Sequence, residues 1–334
     1  MPHANVALLG FGNVGRAFLR YIKDPAVTPS IQIRIRAIAD STGGIFFDDE
    51  SPLDHLIAFK ESGGRVSDFT LGKPIAETRD FIRELQPSGV SVLVESLPTN
   101  IAGGEPALTL VKTALEQGTS VVTVDKGPVV HGLEALREAA SKSGARIGYS
   151  GTTGVSIPDD LANERVLEIR GVLNGTTNYV LSEMQERGRS FDDAIATAQA
   201  EGIAEPDPSL DVQGWDTAAK ILILAKSLMN AQSQLAEVSR IGIGPETDSL
   251  IRIAKESGRV VRLVGRARIW QGRVRVSVAP KLIAPDSPFY SVSGTSKAAV
   301  FRTEARGEVL AAERSGRDAI SRTILDDIVK LAAE

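Results

Sequence analysis

Apolar and polar positions along the chain follow two regimes. In the first 150 residues, short apolar runs alternate with amphipathic stretches. Residues 5–9 (NVALL) read as a buried strand, followed by the glycine-rich turn GFGNVG at 10–15. A helix comes next, with Phe18, Leu19 and Ile22 as its apolar positions. Residues 31–39 (IQIRIRAIA) alternate at the period of a strand and lead into Asp40. Residues 41–70 read as loop, with glycine pairs at 43–44 and 63–64 and a short helix over 53–59. The alternation then resumes, with strands at 90–95, 120–124 and 145–148 and helices at 105–117 and 133–142. Such a βα rhythm predicts a parallel sheet with helices on both faces.

The second regime begins after Ser150. GTTGVSIP at 151–158 is a loop of small residues. A strand over 166–173 runs into Asn-Gly-Thr-Thr-Asn at 174–178, a turn and helix start. Helices are predicted over 179–186, 191–201 and 213–229. A hairpin through Gln271-Gly272 joins strands at 260–270 and 273–280. Further strands are predicted at 297–306 and 307–313, then an amphipathic helix at 318–333 carrying Ile320, Ile324, Leu325, Ile328 and Leu331. The predicted fold class is therefore α/β. A Rossmann-type doubly wound parallel sheet spans residues 1–150, and an α+β domain spans 151–313.

Composition narrows the classes of function. The chain has 334 residues, 42% hydrophobic and 24% charged, which is globular composition. Its net charge of −4 gives no general attraction to nucleic acid or to an anionic membrane, and no apolar run reaches membrane-spanning length. The absence of cysteine removes disulfides, thiolate catalysis and Cys-ligated metals, and fits a reducing cytoplasm. With His3, His55 and His131 as the full complement of histidine, no metal site is expected from ligand residues. The N-terminus lacks the basic start and long apolar core of a signal peptide.

The order strand, GxGxxG, helix, strand, acid is the dinucleotide-binding arrangement. Gly10 permits the tight turn, Gly12 lets backbone approach a pyrophosphate, and Gly15 lets helix and strand pack closely. Asn13 and Val14 complete the turn, and the helix start presents unpaired N–H groups to the phosphates. Asp40 is expected to accept from the ribose hydroxyls and to repel a 2′-phosphate, which favours NAD. Ser41, Thr42 and Arg16 leave NADP open.

The chemistry-bearing stretch is 204–225, AEPDPSLDVQGWDTAAKILILA. Asp216 and Lys220 share a helix face at i, i+4 spacing. Asp211 is read as the N-cap of that helix, and Pro206 and Pro208 stiffen the approach. Such a corner either holds a partly desolvated lysine among carboxylates, suited to proton transfer, or is an ordinary surface ion pair. Lys126, in Asp-Lys-Gly-Pro at 125–128, is read as a lysine at a strand's C-terminal end; a solvated turn lysine is the alternative.

With these motifs in order, the chain resembles the homoserine dehydrogenases along nearly its whole length. The pieces that carry the resemblance are GFGNVG, the stretch from Pro98-Thr-Asn to Gly-Glu-Pro-Ala-Leu108, VVTVDKGP at 121–128, GVLNGTTNYVL at 171–181 and AEPDPSLDVQGWDTAAK at 204–220. The resemblance implies reversible NAD(P)-dependent interconversion of L-homoserine and L-aspartate 4-semialdehyde, the branch step toward threonine, methionine and isoleucine. It implies that Lys220 is the catalytic lysine, with Asp216 beside it, and Lys126 the second active-site lysine. Thr176, Glu205 and Asp211 stand where the family holds substrate. Desolvation is expected to lower the Lys220 pKa, or homoserine oxidation to run best at alkaline pH. The resemblance also implies a homodimer through the second domain and a final helix, 314–334, that returns to the first. Ser150 replaces an acid that helps to bind a monovalent cation in the family, so that cation site is not expected here unless backbone carbonyls form it. The C-terminal cofactor loop of the family reads Glu313-Arg-Ser-Gly-Arg317 here. No appended regulatory domain, and so no threonine feedback through one, is expected. The alternatives are a related dehydrogenase of another small amino-alcohol and a non-catalytic NAD(P)-binding sensor.

Overall fold

The computed structural model describes residues 3–48, 52–70, 73–75, 77–313 and 317–333. The chain divides into two compact units, Met1–Thr152 with Gly316–Glu334, and Thr153–Ser315.

The first unit opens with β1 (His3–Leu9), α1 (Asn13–Lys23) and β2 (Gln32–Asp40). Then come β3 (Gly43–Phe46), α2 (Leu53–Glu61), β4 (Lys73–Ile75) and α3 (Thr78–Leu85). β5 (Val92–Glu95), α4 (Ala107–Glu116), β6 (Ser120–Thr123), α5 (Lys126–Ser143) and β7 (Ile147–Gly148) complete the run. Among the described residues the strand order is β4-β3-β2-β1-β5-β6-β7. The strands from β2 to β7 pair in parallel, as the alternation predicts. β3 and β4 are antiparallel additions to the β2 edge, so the sheet is mixed. The period-2 pleat of β1 sorts the core. Val6 and Leu8 pack with Phe18 and Leu19, while Ala7 and Leu9 pack with Phe81, Leu110 and Leu136 on the other face.

The stretch 41–70 is more ordered than its glycines suggest. Gly44 lies in a strand, where a Cβ would be 2.4 Å from the Phe81 ring. That glycine answers to a packing limit rather than to a turn. Lys126 is the first residue of α5, not the tip of a strand turn. Asp125 caps that helix by accepting from Gly127 N at 2.8 Å, and Pro128 is tolerated in a first turn that needs no donor there.

The second unit contains β8 (Val166–Val172), α6 (Gly175–Arg187), α7 (Phe191–Ala200), α8 (Ser209–Val212) and α9 (Trp215–Met229). It continues with β9 (Ser239–Arg240), α10 (Thr247–Glu256), β10 (Val260–Trp270), β11 (Arg273–Ile283), β12 (Lys297–Thr303) and β13 (Gly307–Glu313). The described strands order as β13-β12-β8-β10-β11-β9 and pair antiparallel except β9 with β11. Gln271 and Gly272 both have positive φ, 48° and 72°, the geometry of a two-residue hairpin turn. α9 is a buried core helix, with Ala218, Ala219 and Ile221 to Ala225 fully buried.

α11 (Arg317–Ala333) belongs to the first unit and packs against α1. Ser150 N and Oγ donate to its Asp327 at 2.9 and 2.7 Å. In the altered C-terminal loop, residues 314–316 lie outside the described residues.

Candidate active site

The glycine turn follows directly from sterics. Gly10 has φ +102°, and a Cβ there would lie 2.6 Å from Ser96 O. A Cβ on Gly15 would lie 2.3 Å from Gly10 O. At Gly12 the same test meets no atom within 4 Å, so the space beside it is open. α1 begins at Asn13 with no side-chain cap on its first turn. Its first amides therefore have no helical acceptor, which suits a pyrophosphate. The Asn13 side chain accepts from Arg16 Nη2 at 3.0 Å. The Val14 side chain packs on the core, which leaves its amide for a ligand.

Asp40 corrects the simple expectation of a free carboxylate. Its Oδ1 accepts from Thr42 N at 2.8 Å and Thr42 Oγ1 at 2.6 Å, and its Oδ2 pairs with Lys60 Nζ at 2.5 Å. Burial pushes the carboxyl up, but the bonds from Lys60 and Thr42 outweigh it and hold Asp40 below the usual carboxylate range. The ammonium neutralises much of the charge that was to repel a 2′-phosphate. Lys60, 20 positions away, carries no sequence signal for this role. Ser41 lies exposed in the turn that follows.

Beyond the strand ends of the same sheet, the loop after β5 packs on the start of α5. His131 Nε2 is 2.8 Å from Ile101 O, and a Cβ on Gly127 would lie 2.7 Å from Asn100 O. This close contact fixes the turn from which Lys126 projects.

In the second unit the acidic corner is built around Asn174, which the sequence reading did not single out. Asn174 precedes α6 and caps it, its Oδ1 accepting from Thr177 N at 2.7 Å. Its Nδ2 donates to Asp211 Oδ1 at 2.6 Å and to Asp216 Oδ2 at 2.8 Å. Lys220 Nζ donates to Asp216 Oδ2 at 2.6 Å and to Leu173 O at 3.0 Å. The Asp216–Lys220 pair is mostly buried, with side chains 13% and 14% exposed, so it is no ordinary surface ion pair. Asp211 is not the N-cap of α9. It belongs to α8, and Gly214, in the left-handed region at φ +79°, precedes α9 without a side-chain cap. Burial pushes the Asp211 carboxyl up and the charge of Asp216 adds to this; the Asn174 amide and Lys220 oppose it. Asp211 is bonded to the Asn174 amide, and the Lys297 side chain comes beside that of Lys220 at Gly154, so a second lysine adjoins the corner. Thr176 Oγ1, on the first turn of α6, donates to Ile203 O at 3.2 Å. Glu205 is exposed and lies outside this bonded cluster.

A Rossmann-type sheet with an open phosphate turn and a buried lysine–carboxylate corner defines an NAD(P)-dependent oxidoreductase. Residues 155–329 match the family described as homoserine dehydrogenase, and residues 10–150 match its NAD binding domain. A homoserine dehydrogenase of Methanocaldococcus jannaschii is 32% identical over 98% of both chains. An NAD(+)-dependent homoserine dehydrogenase of Pseudomonas canavaninivorans is 32% identical over 99% of this chain and 97% of its own. A hyperthermophilic archaeal homoserine dehydrogenase solved in complex with NADPH superposes with a TM-score of 0.79 at 29% identity, covering 99% of this chain and 98% of that one. The chain belongs to the homoserine dehydrogenase family. It is an oxidoreductase acting on a CH–OH group of a small-molecule substrate. Among the described residues no helix is long and apolar enough to cross a membrane, and no group of His, Cys, Asp or Glu is arranged to hold a metal ion.

Two outcomes follow from this geometry. Lys60→Met leaves Asp40 uncompensated, so the ratio of kcat/KM for NAD over NADP is expected to rise about fivefold or more, the scale of one charge interaction at about 4 Å in water; an unchanged ratio would mean that the pair does not face the ribose. The raised Asp211 carboxyl takes up its proton at a higher pH than an ordinary carboxylate as pH falls. KM for a cationic substrate held there should therefore climb from a pH above the usual carboxylate range. Asp211→Asn should raise KM about ten- to hundredfold and flatten that climb.

Proposed function

We propose that the Asn174-centred corner holds L-homoserine and that Lys220 moves the proton of its reaction. The observation that carries this reading is the pairing of Lys220 with Asp216 beside the Asn174–Asp211 bond. The Asp211 carboxylate, bonded to an amide, suits the α-ammonium of homoserine, with Glu205 as an exposed second carboxylate. Thr176 and the amides at the start of α6 suit the α-carboxylate. An ammonium has three donors; Asp216 and Leu173 O take two, which leaves one for the C4 oxygen of the substrate.

In the oxidative direction, neutral Lys220 accepts the hydroxyl proton as C4 gives up a hydride, and aspartate 4-semialdehyde forms. In reverse, the Lys220 ammonium polarises the aldehyde and protonates the forming alkoxide. The dinucleotide, when bound, accepts or returns the hydride. Lys126 supplies the second ammonium of the reaction. Because Lys60 compensates Asp40, NAD and NADP both fit, in line with an NAD(+)-dependent relative and another solved with NADPH. The assembly proposed is a homodimer through the second unit's sheet. Exposed Leu310 on β13, and Ile269 and Trp270 on β10, support it.

Lys220→Ala should lower kcat for homoserine oxidation by about 10²–10⁴-fold while NAD(P)H binding persists. Turnover within a few-fold of wild type would remove Lys220 from the chemistry. Light scattering should return twice the chain mass, falling to one on Leu310→Glu; a monomeric wild type would refute the dimer.

A further inference from the structure

Glu95 ends β5 and is fully buried, and the chemistry described so far does not use it. In the sheet it pairs with Leu9 of β1 and Thr123 of β6. Its Oε1 accepts from Leu97 N at 2.7 Å, and its Oε2 lies 2.5 Å from Thr123 Oγ1. Thr123 Oγ1 accepts from Asp125 N at 3.1 Å and lies 3.3 Å from Asp125 O. Asp125, in turn, caps the helix that starts at Lys126. We propose that Glu95 is a positioning residue for Lys126, acting through Thr123 and the Asp125 backbone to hold the first turn of α5. This inference rests on the reading of Lys126 as an active-site lysine.

The hydrogen-bond accounting favours a carboxylic acid over a carboxylate at this position. As an acid, Glu95 donates from Oε2 to Thr123 Oγ1, which frees the threonine hydrogen for Asp125 O. Every donor then has an acceptor along the chain from Glu95 to the capping residue. As a carboxylate, Glu95 draws the threonine hydrogen to itself and Asp125 O loses it. Burial, then the charge of Asp125, push the Glu95 carboxyl up to about 8. Asp125 is the charged group facing it among the described residues, since Leu9 and Thr123, its neighbours in the sheet, are uncharged. Asp125 is itself buried, and burial pushes its own carboxyl up, so a second charge beside it is unfavourable. The turn is therefore intact at neutral pH and loosens as Glu95 ionises.

Stability carries the same sign. The folded chain holds the Glu95 proton between the ordinary value of 4.5 and about 8, where the unfolded chain has released it. The contribution is complete below 4.5 and is lost as pH rises to about 8.

The test follows homoserine oxidation from neutral to alkaline pH in the full-length enzyme and in Glu95→Gln, Thr123→Val and Lys126→Met, with NAD(P)H binding and thermal unfolding in parallel. Gln keeps a donor for Thr123 and an acceptor for Leu97 N, and cannot ionise. Glu95→Gln should match wild-type kcat at neutral pH, keep its activity at pH values where the wild type declines, and unfold at higher temperature than the wild type above pH 8. Thr123→Val should lower kcat about tenfold with NAD(P)H affinity unchanged, the scale of a misplaced catalytic group. Lys126→Met should lower it about a hundredfold. Loss in Lys126→Met with wild-type kcat in Thr123→Val, or superimposable pH profiles for wild type and Glu95→Gln, would overturn the role of Glu95 and leave that of Lys126 standing. Wild-type kcat in Lys126→Met would overturn both. Should Thr123→Val fail to fold, the Glu95→Gln profile decides.

Discussion

The second unit depends on one side-chain amide. Asn174 Nδ2 stands between two carboxylates that would otherwise repel each other in a buried setting, while Oδ1 of the same side chain caps α6. Paired buried acids ordinarily relieve their repulsion by one of them taking up a proton. A donor to each, with Lys220 on Asp216, lowers the cost of keeping both ionised. The result is a corner of two carboxylates joined by one amide, held rigid by a helix start, by the one-turn helix α8 and by the buried helix α9.

The two units use different means. In the first, recognition is mostly backbone: a left-handed glycine, a glycine with open space beside it, and a helix start without a side-chain cap. Side chains there adjust charge at the margins, as Lys60 does for Asp40. In the second unit, the proposed chemistry rests on side chains, which β8, α8 and α9 hold at hydrogen-bonding distance. Glu95 joins these two modes, since its side chain bonds to Thr123, which in turn bonds the backbone of Asp125 at the start of α5.

Much of the fold was legible because strands buried on both faces and a mostly buried helix leave strong apolar runs. β1, β5, β6 and α9 are of that kind. β3 was missed because Gly43-Gly44 looks like a turn, whereas Gly44 is required by the Phe81 ring packed against it. The start of α5 was missed because Gly127-Pro128 looks like a helix stop; the Asp125 cap turns it into a helix start. In the candidate site, Lys220 and Asp216 could be paired because helical spacing is local information. Asn174 reaches partners 37 and 42 positions away, and Glu95 meets Thr123 28 positions away. No local pattern encodes such distances. The resemblance to a family brought the right stretches together without saying which side chains bond.

The central claim is that the Asp211 carboxylate at the Asn174 corner recognises the substrate ammonium. The most direct measurement compares kcat/KM for L-homoserine with that for 4-hydroxybutanoate, which has the same hydroxyl and carboxylate but no ammonium. A preference for homoserine of about a hundredfold or more is expected, the scale of one desolvated charge pair, most of it lost in Asp211→Asn. Equal turnover of the two compounds by the wild type would contradict the account.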